Sequence, residues 1–212
     1  MKYYPVYLDL RDRPCLVIGG GVVAERKTLS LLEAGADVTL ISPVLTPKLR
    51  ELSTFGEITH VARKFEDKDV AGEFLVIIAT DSLEVNSHVA EICAKKKILV
   101  NVAAPPEKST FIVPSVVERG ELLISISTCG ASPALAKKIR RELEGKYGPE
   151  YGLFLEILRM VRNRLMDESV DEATRRAALL ALVDSDVLDL LRAGKTHEAE
   201  HRVWELAGKG PG

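Results

Sequence analysis

The sequence lacks a long apolar run. No stretch reaches the ~20 residues needed to cross a bilayer, and the opening Met1-Lys2-Tyr3-Tyr4-Pro5 holds no apolar core of a secretory signal. The expectation is a cytoplasmic chain with no membrane contact. An excess of charge is also missing. Lys and Arg number 29 against 31 Asp and Glu, a formal net charge of −2, which removes the basic signature of a nucleic-acid coat protein. Cysteine is scarce: Cys15, Cys93 and Cys129 are odd in number, scattered and free of C-x-x-C spacing. That excludes a disulfide framework and a zinc knuckle and fits a reducing compartment. Aromatics make up only 5%, but 46% hydrophobic and 28% charged residues describe a folded globular chain rather than a disordered one. A length of 212 residues allows one large domain, or a medium one with an appendage.

What is present is a β-α rhythm. Pro14-Cys15-Leu16-Val17-Ile18 is continuously apolar and ends in Gly19-Gly20-Gly21, the pattern of a strand buried on both faces of a parallel sheet. A helix is expected over about 22–34, with Val23, Leu29, Leu31 and Leu32 as its apolar stripe, Glu25, Arg26 and Lys27 as its wet face, and Gly35 as its stop. Strands are expected at 37–41, 58–62, 74–78 and 98–100. Helices are expected at 45–52 and 82–94, the second capped at Asp81 or Ser82. This alternation implies an α/β fold, a Rossmann-like doubly wound parallel sheet with right-handed crossovers. Ala104-Pro105-Pro106 breaks the rhythm. Two strand-like runs follow, 111–113 and 122–126, with Arg119-Gly120 as a turn. From Ser132 the chain reads as helices over 133–145, 150–166 and 170–183, then two shorter ones to about 206. The tail Gly208-Lys209-Gly210-Pro211-Gly212 is expected to fray. The organisation read from this is a dinucleotide-binding domain over 1–112, a small α+β segment over 113–145 and a helical region over 146–212.

Gly19-Gly20-Gly21-Val22-Val23-Ala24 fits the dinucleotide fingerprint G-x-G-x-x-A, directly behind a strand and opening a helix. Gly19 permits the turn, Gly21 lets backbone approach a pyrophosphate, and Ala24 lets the helix pack close to the strand. The helix N-terminus then offers free N–H groups to the anion. The competing reading is a glycine-rich turn without a ligand. The acidic residue expected ~20 positions on is missing; Ile41-Ser42-Pro43-Val44 stands there. Ser42 is placed to bond a ribose hydroxyl, and Lys48 and Arg50 are near, so local chemistry leaves NAD and NADP both open.

A second anion site is read at Ser127-Thr128-Cys129-Gly130-Ala131-Ser132-Pro133. Ser132 is an N-cap, Pro133 a first-turn residue, and Lys137, Lys138, Arg140 and Arg141 follow with no acid between 125 and 141. The competing reading makes those cations the wet face of a helix whose apolar stripe is Leu135, Ile139 and Leu143. Cys129 is read as a small loop residue rather than a reactive thiol. His197-Glu198-Ala199-Glu200-His201 matches H-E-x-x-H, but the eleven residues that follow hold no His, Asp or Cys and have Glu205 as their sole acid. The motif sits on a charged terminal helix, so it is read as a solvated helix face and no metal is expected.

Joined together, these motifs resemble a known family. Tyr4-Pro5-Val6, Leu10-Arg11-Asp12-Arg13, Val17-Ile18-Gly19-Gly20-Gly21, Val23-Ala24-Glu25-Arg26-Lys27, Ala79-Thr80-Asp81, Val85-Asn86, Asn101-Val102, Phe111-Ile112-Val113-Pro114-Ser115 and Gly130-Ala131-Ser132-Pro133-Ala134-Leu135-Ala136 follow the order and spacing of precorrin-2 dehydrogenases, the module of siroheme synthases that in some members is also a sirohydrochlorin ferrochelatase. The resemblance covers about 1–145. It implies NAD-dependent oxidation of precorrin-2 to sirohydrochlorin in siroheme biosynthesis. Iron insertion and a non-catalytic tetrapyrrole- or NAD-binding role are the alternatives. It implies a homodimer joined through 113–145, with the tetrapyrrole in a cleft between that segment and the nucleotide-binding part. Cofactor contacts are expected from Gly19, Gly21, Val22, Val23, Ala24, Ser42, Pro43, Val44, Thr80, Asp81 and Asn101, and substrate contacts from Thr128, Gly130, Ser132 and Lys137. The family's aspartate after Asn101-Val102 is absent; Ala104 stands there, and a methyl accepts no proton.

Overall fold

The apolar run Pro14–Ile18 forms strand β1 at the centre of a five-stranded parallel sheet. In this computed structural model, which describes residues 2–207, the strands are β1, β2 (Asp37–Ile41), β3 (Thr59–Val61), β4 (Leu75–Ile78) and β5 (Leu99–Val102), in the order β3-β2-β1-β4-β5. That order, reversing direction between β1 and β4, is the doubly wound arrangement expected from the sequence. The tail 208–212 lies outside the described residues.

The continuous apolarity of β1 and β4 has the cause anticipated for it: each strand is covered twice. Cys15, Val17, Leu75 and Ile77 pack with Ala24 and Leu31 of α1 (Val22–Glu33) and with Leu49 and Leu52 of α2 (Pro47–Thr54). Leu16, Ile18, Val76 and Ile78 pack on the other face with Val89, Ala90 and Cys93 of α3 (Leu83–Lys96). Cys15 and Cys93 are core residues, and burial pushes both thiols up to about 11, which keeps them unreactive.

Three local expectations are corrected, and the two alternatives for the α3 cap are resolved in favour of Ser82. The α1 stripe is Ala24, Thr28 and Leu31, and Val23 is exposed. Turning the helix so that small Ala24 meets the sheet rotates Val23 outward. Helix α2 begins at Pro47, because Thr46 accepts from the Leu49 N–H as its cap. The cap of α3 is Ser82, whose Oγ accepts from the Val85 N–H; Asp81 lies one residue outside. Residues 111–113 form no strand. The edge of β5 is already satisfied: the Val100 and Val102 N–H groups donate to Thr110 Oγ1 at 2.8 Å and Ser109 Oγ at 2.9 Å. These hydroxyls close the edge where another strand would pair.

The chain folds as two compact units, 1–113 and 114–212. In the second, β6 (Ser115–Arg119) and β7 (Leu122–Ile126) pair as an antiparallel hairpin turning at Gly120. Helix α4 (Pro133–Lys146) covers one face of the hairpin, where Ala136, Ile139 and Leu143 meet Val117, Ile124 and Ile126. Leu135, expected in that stripe, is exposed instead. Helices α5 (Glu150–Asp167), α6 (Glu172–Val183), α7 (Val187–Arg192) and α8 (Thr196–Leu206) enclose a separate core around Val161, Leu182, Val187 and Val203. The Arg164 guanidinium lies over the Trp204 ring, 4.4 Å from its centroid.

Candidate functional site

The turns that follow β1, β2, β4 and β5 all emerge at the carboxyl end of the parallel sheet, and the strand order reverses between β1 and β4. This is where open α/β sheets bind ligands. The three glycines of the first turn serve different needs. Gly19 has φ +121, and a Cβ there would sit 2.2 Å from the Ala79 carbonyl oxygen. Gly20 is just as constrained, because a Cβ would meet the Val44 carbonyl oxygen at 2.0 Å and Ser42 Oγ at 2.7 Å. Backbone bonds from Gly19 N to Ile41 O and from Thr46 N to Gly20 O, both 3.0 Å, tie this turn to the one after β2. Gly21 differs: nothing lies within 4 Å of where its Cβ would be. No neighbour in the fold demands glycine at this position, so the open space is available to whatever approaches the backbone.

Helix α1 begins at that open position without a side-chain cap, as α5, α7 and α8 also do, whereas Thr46, Ser82 and Ser132 cap α2, α3 and α4. Its first-turn N–H groups have no intrahelical acceptors, and the positive end of the helix adds to the attraction for an anion. Val22 and Val23 are exposed beside it, and Ala24 is fully buried against the sheet as the fingerprint requires.

The second turn is shaped from within. Ser42 Oγ donates to the Val44 carbonyl at 2.8 Å, and His60 Nε2 meets the Ser42 carbonyl at 2.9 Å. The hydroxyl proton expected to serve a ribose is therefore engaged in its own loop, leaving Pro43 and Val44 as the exposed rim. Lys48 is paired with Glu51 at 3.0 Å.

The third and fourth turns are stapled together by a residue that the expected contacts do not include. Asn86 is fully buried on α3. Its amide nitrogen donates to the Thr80 carbonyl at 3.1 Å and to the Ala104 carbonyl at 2.8 Å, and its Oδ1 accepts from the Thr80 hydroxyl at 2.6 Å. Asn101 points to its own loop, donating to the Phe111 carbonyl at 3.1 Å. Asp81 is exposed between these anchors. Asn86 could have been found in the sequence: it lies in the buried stripe Asn86, Val89, Ala90, Cys93, and an amide in such a stripe must have partners. Gly20 carries no comparable signal, because the fingerprint leaves that position free.

In the second unit the 127–132 loop closes on itself. Thr128 Oγ1 donates to the Ser132 carbonyl and accepts from the Ser132 N–H, both at 3.1 Å; Cys129 N donates to Ser127 Oγ at 3.0 Å, and Ser132 Oγ caps α4. Cys129 and Gly130 hold positive φ, 53 and 89, the left-handed backbone a turn this tight needs. The four-cation reading is halved. Lys138 lies 3.8 Å from Glu142, and Arg140 bonds Glu144, each one helical turn on. Lys137 and Arg141 remain without a carboxylate within salt-bridge distance among the described residues. The H-E-x-x-H residues stand on α8, with Glu198 paired to Lys195 at 3.0 Å and His197 fully exposed. Among the described residues no three His, Cys, Asp or Glu converge as metal ligands, and no helix is long and apolar enough to cross a membrane.

Residues 6–115 match a family model described as "Putative NAD(P)-binding", and residues 119–146 match one described as "Sirohaem biosynthesis protein central". The siroheme synthase of Thioalkalivibrio sulfidiphilus is 39% identical over 203 residues, covering 96% of this chain and 42% of that protein. That of Photobacterium profundum is 36% identical over 206 residues, covering 97% and 44%. The chain thus spans less than half the length of these relatives. The solved structure of "SirC, precorrin-2 dehydrogenase" superposes with a TM-score of 0.81 at 28% identity, covering 96% of this chain and 100% of that one. The first family match alone takes in more than half of the sequence, and the chain belongs to that NAD(P)-binding family.

Proposed function

We propose that the chain oxidises precorrin-2 to sirohydrochlorin, with NAD as the hydride acceptor, in siroheme biosynthesis. The observation that carries this reading is the uncapped start of α1 behind an open Gly21, which suits a pyrophosphate. The likeness to SirC along the whole of that chain supports the choice of substrate. When bound, the nicotinamide supplies the two-electron sink.

The work assigned to the protein is positioning. Gly19 and Gly20 fix the turn, the Gly21, Val22 and Val23 backbone receives the pyrophosphate, and Ala24 sets the helix close to the sheet. Pro43 and Val44 border the adenosine ribose. Thr80 and Asn101, each anchored by hydrogen bonds, hold the rim on the nicotinamide side. Holding both reactants in one geometry accounts for a large part of the rate in hydride transfer. For the polycarboxylate substrate we assign Gly130, the Ser132 hydroxyl, Lys137 and the Thr128 loop. Lys137 is exposed and has no carboxylate partner among the described residues, and its charge complements a propionate or acetate arm.

We also assign a homodimer joined through 113–145. The β6–β7 sheet has only two strands, with α4 on one face, and Val116 and Leu135 are exposed apolar residues on this segment that a second copy would cover. Cytoplasmic residence suits three free cysteines. The test is to mix the protein with precorrin-2 and NAD and follow NADH absorbance. A rise is expected. Tight sirohydrochlorin binding with no NADH would establish a carrier instead.

A further inference from the structure

Removing two electrons from a C–H bond as hydride leaves a proton behind, and some group has to take it. This inference rests on the dehydrogenase reading above and asks which residue of the chain does so. The turns that leave β1, β2, β4 and β5 at the carboxyl end of the sheet begin with residues 19–21, 42–46, 79–82 and 103–105. These residues read Gly-Gly-Gly, Ser-Pro-Val-Leu-Thr, Ala-Thr-Asp-Ser and Ala-Ala-Pro. Asp81 is their only titratable side chain. His, Lys, Cys, Tyr and Glu are absent from those residues; beside them, His60 of β3 is engaged with the Ser42 carbonyl, and Glu107 and Lys108 follow in the loop after β5, Lys108 paired with Glu91.

The structure also leaves Asp81 uncommitted. Capping of α3 falls to Ser82. The Asp81 side chain is exposed, and among the described residues its carboxylate has no hydrogen-bond or ion-pair partner. Its place is fixed all the same. Thr80, its immediate neighbour, is held by Asn86 on both the hydroxyl and the carbonyl, and the same amide nitrogen holds the Ala104 carbonyl. Two acceptors sharing one NH2 group stand within about 6 Å of each other. Asp81 therefore borders the Ala103–Pro105 turn across the rim, on a backbone that does not wander.

We propose that Asp81 is the proton acceptor of the dehydrogenation. A hydride passes from the reduced tetrapyrrole to C4 of the nicotinamide, reducing NAD+ to NADH. The accompanying proton passes to an Asp81 carboxylate oxygen, and the freed electron pair closes the new double bond of the macrocycle. The carboxylic acid then returns its proton to water.

The experiment compares wild type, Asp81→Ala, Asp81→Asn and the double variant Asp81→Ala/Ala104→Asp for NADH formation from precorrin-2. NAD affinity is measured by calorimetry and folding by thermal denaturation. Both single variants are expected to lose about 100-fold in kcat, with NAD affinity and thermal midpoint held. Added formate is expected to restore turnover in Asp81→Ala but not in Asp81→Asn or wild type. The double variant regains turnover because a carboxylate is returned from across the rim. Unchanged kcat overturns the proposal, as does a defect confined to NAD affinity, or a loss that neither formate nor Ala104→Asp repairs. A wild type that forms no NADH refutes the dehydrogenase reading itself and removes the proton with it.

Discussion

The Asn86 amide reaches from α3 to the Ala104 carbonyl at 2.8 Å, across 18 residues of sequence. One side chain thereby sets the spacing of two rim turns. Replacing it by leucine keeps the bulk but leaves the Thr80 and Ala104 carbonyls and the Thr80 hydroxyl without their partner. Asn86→Leu is expected to cost about 2 kcal/mol in denaturant unfolding and to weaken NAD binding in calorimetry. A variant as stable as wild type, with the same affinity, would show that the staple holds nothing.

The three glycines make a paired prediction. Gly20→Ala drives a methyl into the Val44 carbonyl and is expected to lower the thermal midpoint or prevent folding. Gly21→Ala meets no protein atom, at a φ of −85 that alanine adopts freely. It is expected to fold as wild type does and bind NAD at least tenfold more weakly, about 1.4 kcal/mol. Equal NAD affinity in Gly21→Ala would refute the backbone-approach role.

Thr28 is fully buried on α1, and its hydroxyl has no hydrogen-bond partner among the described residues. Valine has the same shape without the polar atom. Thr28→Val is expected to gain about 1 kcal/mol in urea unfolding; a loss of stability there would mean that the hydroxyl does have a partner.

Arg63 grips Asp69 with two hydrogen bonds of 2.6 and 2.7 Å. These hydrogen bonds, opposed in part by burial, hold the carboxyl below its usual 3.8. A depressed folded-state value contributes stability that is complete above the unfolded value and is lost as pH falls through the folded one. Solvent reaches the arginine, so screening keeps the contribution small. Asp69→Asn is expected to cost about 1 kcal/mol at pH 7, with the gap to wild type closing as the pH is taken from about 4 downward. A gap that stays constant across that range would count against the pairing.

Much of the first unit is legible in the sequence because its signals are strong and local. Continuous apolar runs mark β1 and β4, Ser132-Pro133 marks the start of α4 in the second unit, and Gly120 marks the hairpin turn. What escapes depends on contacts made at a distance. The rotation of α1 that exposes Val23 is set by how closely Ala24 approaches the sheet. The fate of 111–113 turns on two hydroxyls, Ser109 and Thr110, taking the β5 edge. Lys138 and Arg140 look free in the basic segment because their partners, Glu142 and Glu144, stand just past its end. The site follows the same rule: a fingerprint locates a turn, whereas the Asn86 staple exists only once α3 has packed.

The bare start of α1 has a thermodynamic consequence. In the reading proposed above, the pyrophosphate completes this helix end, and a ligand that binds only the folded chain shifts the folding equilibrium by mass action. At a hundred times its dissociation constant it adds about 2.7 kcal/mol. The dinucleotide would then act as a folding partner as well as a reactant, and the lifetime of the protein in the cell would follow the size of the nicotinamide pool.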